Sequence, residues 1–176
     1  MVGVVLLAGC LGDGASSADR PSEEPTAIEY DSTQFGVTLS VPDWSPPNYS
    51  SPGHVEVFGS NDAATDALDF EIVNDDRLEE VEAFIEETEF ETEFLLEIVS
   101  VGPDTSYREV AIEEVDLKDG IVVGTAVARS VEDLGGDEPS YPSALVRVTP
   151  EGGWPKRVEI TIVDGWDRKR TVEVRP

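Results

Sequence analysis

Phe94-Leu95-Leu96-Glu97-Ile98-Val99-Ser100-Val101 is apolar at almost every position. Gly102-Pro103-Asp104-Thr105-Ser106 then turns the chain. A run of this kind suits a central strand covered on both faces. Upstream, Asp76 to Thr88 places Leu78, Val81, Phe84 and Ile85 on one helical face and acidic residues on the other. Asp76, followed three residues later by Glu79, reads as its cap. This helix is expected to lie across the sheet. Downstream, Tyr107 to Leu117 is the next strand. Its apolar phase switches between Ile112 and Val115, which predicts a bulge near Glu113-Glu114. Lys118-Asp119-Gly120 signals a hairpin, and Ile121 to Val131 returns.

Further out, the strand signals continue. Phe35 to Val41 alternates apolar and polar residues and reads as the first strand. Pro42 to Gly53 holds four prolines and is expected to be a stiff, extended loop carrying Trp44 and Tyr49. His54 to Phe58 reads as the second strand, and Asp69 to Asn74, centred on Phe70 and Ile72, as a third short one. Ser143 to Thr149, Arg157 to Val163 and Arg170 to Arg175 complete the set. The expected fold is α+β and mainly antiparallel β: a sandwich or open barrel of about seven to nine strands, with one amphipathic helix packed on the sheet.

The N-terminal end addresses the protein rather than folding it. Val2 to Ala8 is a short apolar run with small residues just before Cys10. A secretory signal needs an apolar core and small side chains beside the cut. Leu7-Ala8-Gly9-Cys10 resembles the lipobox of secreted lipoproteins, in which cleavage leaves the cysteine first and lipid is attached to its thiol. The resemblance implies a lipid on Cys10 and a membrane partner. Cys10 is the single cysteine, so no internal disulfide forms, and the run falls far short of the ~20 residues of a membrane-spanning helix. No Lys or Arg precedes it; a start lying upstream is one reading of that, and the export route stays open. The expected organisation is a signal segment over residues 1–9, a flexible tether over 10–33 and one β-rich globular domain over 34–176. Fully extended, such a tether reaches at most about 75 Å; as a coil it keeps the domain about 27 Å from its anchor.

Composition narrows the function. Against 38 Asp and Glu stand 12 Lys and Arg, for a net charge of −26 over 176 residues. Only Lys118, Lys156 and Lys169 are lysines. Such an excess of carboxylates disfavours a compact state by self-repulsion, except in molar salt, where the Debye length is about 3 Å. An acid-rich, lysine-poor composition resembles that of proteins from extremely halophilic archaea. Acid pairs such as Asp75-Asp76, Glu79-Glu80 and Glu86-Glu87 then read as a solvated face rather than cation sites. Nucleic acid is not an expected partner, because phosphate contacts need a basic patch.

The order of patterns adds a further resemblance. A helix ending in Phe84-Ile85 leads into Glu-Thr-Glu-Phe-Glu-Thr-Glu-Phe-Leu-Leu-Glu-Ile-Val over residues 87–99, then a hairpin, a late Ala144-Leu-Val-Arg-Val and a closing strand. This resembles a group of uncharacterised surface lipoproteins of halophilic archaea, over roughly residues 68–165. It is similar, more weakly, to a small bacterial domain found at the C-terminus of protease-complex subunits. These are hydrophobic patterns; they imply a compact β-rich fold and carry over no catalytic residue.

Little chemistry is legible. His54 is the single histidine, which removes a multi-histidine zinc site, and with Cys10 given to lipid a blue-copper site as well. No Gly-x-Ser-x-Gly elbow, phosphate loop or dinucleotide fingerprint occurs. Two carboxylates can hydrolyse a glycoside, but among 38 acids a pair carries no signal by itself. No cofactor, metal or catalytic residue is therefore expected. Trp44, Tyr49, Trp154 and Trp166 lie in or beside Pro/Gly-rich connections and are the candidate ligand-binding residues, since aromatics anchor interfaces; the competing role is to cap the ends of the core. The expected function is a lipid-anchored binding protein on the extracellular face of the membrane, without catalysis, whose partner is an envelope protein or a glycan. Alternatives are an accessory subunit of a membrane transporter or protease complex, and a carboxylate-dependent hydrolase. Exposed loop tryptophans favour binding, and a deep acidic cleft around His54 favours hydrolysis.

Overall fold

The structure is a computed structural model that describes residues 25–45, 50–131 and 135–176. Cys10, the expected signal segment and most of the expected tether lie outside them. Nine strands are described: β1 (Thr26–Ala27), β2 (Glu29–Thr38), β3 (Gly53–Phe58), β4 (Phe94–Ser100), β5 (Tyr107–Lys118), β6 (Ile121–Ser130), β7 (Tyr141–Thr149), β8 (Arg157–Val163) and β9 (Lys169–Val174). They form two sheets, ordered β1-β5-β6-β8-β9 and β2-β7-β4-β3. Every strand pairing is antiparallel except β6 with β8. The expected mainly antiparallel α+β architecture, a sandwich or open barrel of about seven to nine strands, is borne out by the two sheets.

β4 occupies the position its sequence requires. It pairs with β3 on one side and β7 on the other. Phe94, Leu96 and Ile98 point between the sheets and pack with Val146, Val158 and Ile160. Leu95 points to the outer face and packs under α2 (Leu78–Glu86) with Val81, Phe84 and Ile85. Leu95 and Leu96 are both fully buried, so consecutive residues are covered from opposite sides.

The β5–β6 hairpin also forms as expected. Register shifts between Ile112 and Glu114, where the bulge is expected. Asp119 and Gly120 both have positive φ, 53° and 76°, the backbone that a two-residue hairpin turn with the right twist needs.

Three expectations are corrected. The tether does not extend to residue 33, because β1 pairs with Leu117 and Asp116 of β5, and β2 is already paired with β7 at Glu29. Ile28 is buried in the sandwich core and Tyr30 packs against it, so the chain crosses from one sheet to the other at Ile28. Residues 69–74 are not a strand: Phe70–Ile72 is a 3₁₀ turn, closed by the Asp69 side chain accepting from the Glu71 N–H at 3.1 Å. The expected helix starts at Leu78, with Arg77 rather than Asp76 at its N-cap and no side-chain cap bond. A turn in which the Arg77 N–H bonds Asn74 O at 2.9 Å takes up Asp76. A second helix, α1 (Asn61–Ala67), precedes the 3₁₀ turn and is capped by Ser60, whose Oγ accepts from the Ala63 N–H at 3.1 Å.

Candidate functional site

The outer face of the four-stranded sheet is only partly covered. Its register lines up three rows across β3, β4, β7 and β2: Phe58–Leu95–Arg147–Asp31, Glu56–Glu97–Leu145–Thr33 and His54–Val99–Ser143–Gly36. The helices and the 3₁₀ turn pack over Phe58, Leu95 and Leu145. They leave His54, Val99, Glu56 and Glu97 as the floor of a cleft of about 370 Å³. One wall is the chain from Thr38 to Trp44; the other holds Asp69 and Ile72.

Aromatic packing builds the wall that carries Trp44. Its indole stacks on the His54 ring, with centroids 5.6 Å apart and planes 13° from parallel. It meets Tyr141 edge-on at 6.1 Å and 85°. Such contacts contribute about 0.5–1.5 kcal/mol each beyond burial. The Ser45 N–H bonds Pro42 O at 2.9 Å, closing the turn that presents Trp44.

The floor is acidic, and among the described residues no Lys or Arg lines the cleft. Glu56 and Glu97 are directly opposed on neighbouring strands, a relation that places Cβ atoms about 5 Å apart. Glu97 is half-buried, and its side chain makes no hydrogen bond among the described residues. Burial pushes its carboxyl up to about 7, helped by the charges of Glu56 and then Asp69. Near neutral pH Glu97 is therefore both a donor and an acceptor. Burial holds His54 below its ordinary value while Glu56 pulls the other way; the ring is mainly neutral at pH 7. Among the described residues no group of three or more His, Cys, Asp or Glu is placed to hold a metal ion, and no helix is long and apolar enough to cross a membrane.

The aromatic candidates do not meet. Trp44 belongs to the cleft. Trp154 lies at the other end of the sandwich, 5.8 Å from Phe94 and over Gly59. From Phe94 to Val99 is about 17 Å of strand. Trp166 sits in the β8–β9 connection with the Arg168 guanidinium 4.7 Å from its ring centroid. Tyr49 lies outside the described residues. Glu56, Glu97 and Asp69 were not singled out from the sequence. A signal existed for Glu97, the one charge inside the apolar run, but its partner is fixed by the β3–β4 register. Comparison of the chain with protein-family models, with curated proteins and with solved structures found no match.

Proposed function

We propose that this is a non-catalytic binding domain of the cell envelope, held at the outer membrane face by a lipid on Cys10, and that its cleft takes a polyhydroxylated ligand such as an envelope glycan. The observation that carries this is an aromatic wall, Trp44 on His54, beside a floor of Glu56 and Glu97. An indole face and edge offer an apolar surface to a sugar ring, and carboxylates accept from its hydroxyls while a protonated Glu97 donates. The volume is at the lower end of small-ligand sites, about 300–1,000 Å³. The anchor rests on the lipobox resemblance, and the molar-salt setting on the −26 charge.

Two experiments test it. In a titration with neutral envelope oligosaccharides at molar salt, Trp44→Ala is expected to weaken binding at least tenfold and Trp154→Ala to leave it unchanged. Equal affinity in both variants removes the cleft from the proposal. Cys10→Ser is expected to move the protein from the membrane fraction to the supernatant; retention in the membrane removes the anchor.

One observation favours a second reading. Glu97, poised near 7 and facing Glu56, is the pairing of an acid and a base that carboxylate-dependent hydrolysis uses. Product release from a bound oligosaccharide, lost in Glu97→Gln with binding retained, would replace the binding reading with that one.

A further inference from the structure

A second cleft, of about 360 Å³, opens where β2 faces β5 at the other side of the same sheet. Both strands break register there, between Gln34 and Gly36 and between Tyr107 and Glu109. A bulge inserts a residue and re-aims its side chain. On β2 the extra residue is Phe35, which turns into the core under the helices. On β5 it is Arg108, which lines the cleft. The Gln34 side chain fixes the separation of the two strands: its amide donates to Val110 O at 3.0 Å and accepts from the Val110 N–H at 2.9 Å.

The charge here is contrary to the rest of the molecule. Two of the chain's 12 cationic side chains, Arg77 and Arg108, line this one cleft. Arg77 is held by Thr33 Oγ1 at 2.9 Å and Glu80 Oε1 at 3.1 Å. Arg108 is exposed and has no hydrogen bond or ion pair among the described residues. Among the described residues Glu109 is the one carboxylate in the lining, and Asn74 and Thr105 add neutral polar groups. Phe35 and Val37 also line the cleft, and Leu39 and Val131, 53% and 44% exposed, form the exposed apolar part. Among the described residues Arg77, Arg129, Arg147, Arg157 and Arg168 pair with carboxylates, while Arg108, Arg170 and Arg175 do not; of these three, Arg108 lines a cleft with apolar surface.

We propose that this cleft binds a small organic carboxylate. The Arg108 guanidinium takes the carboxylate in the bidentate manner that a planar fork allows. Arg77, its charge shared with Glu80, adds further guanidinium N–H groups to the lining, and the aliphatic or aromatic body of the ligand rests on Leu39 and Val131. An inorganic anion would satisfy the arginines and leave that apolar surface in water. The site is separate from the Trp44–Glu97 cleft and does not depend on its ligand.

The test is an NMR titration of the full chain with phenylacetate, and separately with phosphate, at fixed molar potassium chloride so that chloride competition is constant. Phenylacetate is expected to saturate and to shift the amides of Thr105, Arg108 and Val131. Arg108→Gln is expected to weaken it at least tenfold. Arg129→Gln, which removes an exposed arginine paired with Glu113, is expected to leave it unchanged. Arg108 has no hydrogen-bond or ion-pair partner among the described residues, so thermal unfolding of Arg108→Gln is expected to match wild type. The proposal is overturned if phenylacetate does not saturate, if Arg108→Gln binds it as tightly as wild type, or if phosphate binds as tightly as phenylacetate.

Discussion

Replacing Glu97 with glutamine is expected to stabilise the folded domain at pH 8 and to change it little at pH 4. In the fold this carboxyl lies half-buried beside the Glu56 and Asp69 charges and titrates at about 7, against an ordinary 4.5. A folded-state value above the unfolded one means that folding takes up a proton. The contribution is therefore whole below about pH 4.5 and is lost as pH rises through about 7. The interval corresponds to about 3 kcal/mol at pH 8, an upper bound because Glu97 keeps partial contact with water. His54 acts in the opposite sense: burial lowers it from 6.5, so its protonation costs stability as pH falls below that value. It is common to wild type and variant, and the difference between them isolates Glu97. Glutamine matches the neutral acid in shape and carries no charge to desolvate. Urea unfolding from pH 4 to 8 at constant molar salt reads the effect, and salt will not erase it, since buried pairs are screened less than exposed ones. A difference between the two proteins that does not vary with pH would show that Glu97 is ordinary.

The parts of the fold that declared themselves in the sequence are those where one local rule decides. The apolar run at Phe94 requires cover on both sides; Asp119-Gly120 supplies the positive φ of its turn; the phase switch after Ile112 requires an extra residue. The parts that did not are those where two rules compete. Phe70 and Ile72 alternate with acids as a strand would, but the Asp69 carboxylate bonds its own backbone two residues on and closes a turn instead. α1 buries only Ala64, so it has no apolar stripe to announce it; the Ser60 cap was its one mark. Ile28 and Tyr30 sit among acids and read as tether until their partners on β5 and β7 are known. The site was hidden for the same reason. Period-two alternation puts His54 and Glu56 on one face, but only the register says that Glu56 meets Glu97 and His54 meets Val99. Trp44 was singled out, yet the ring it stacks on lies beyond a proline-rich loop.

Leu95→Ala and Leu96→Ala are each expected to cost about 2–5 kcal/mol, the range for emptying a fully buried leucine site. The two residues are neighbours in β4 and point to opposite faces, so an ordinary half-solvated strand would make one substitution severe and the other near neutral. Here both side chains have no exposure at all. Leu96 loses contact with the sandwich core that it shares with Val146 and Ile160. Leu95 loses contact with Val81, Phe84 and Ile85 of α2. The losses should therefore differ in place even where they agree in size. Amide exchange in α2 is expected to quicken in Leu95→Ala beyond what global destabilisation requires, and to follow global stability alone in Leu96→Ala. Because the cavities open on separate faces with different partners, their costs should nearly add. The double variant then loses a large share of the 5–15 kcal/mol that a domain holds, and at low salt, where the −26 charge is unscreened, it should be unfolded. A mild effect of Leu95→Ala alone would mean that α2 does not seal the outer face, and the floor of the Glu97 cleft would then extend beneath the helix.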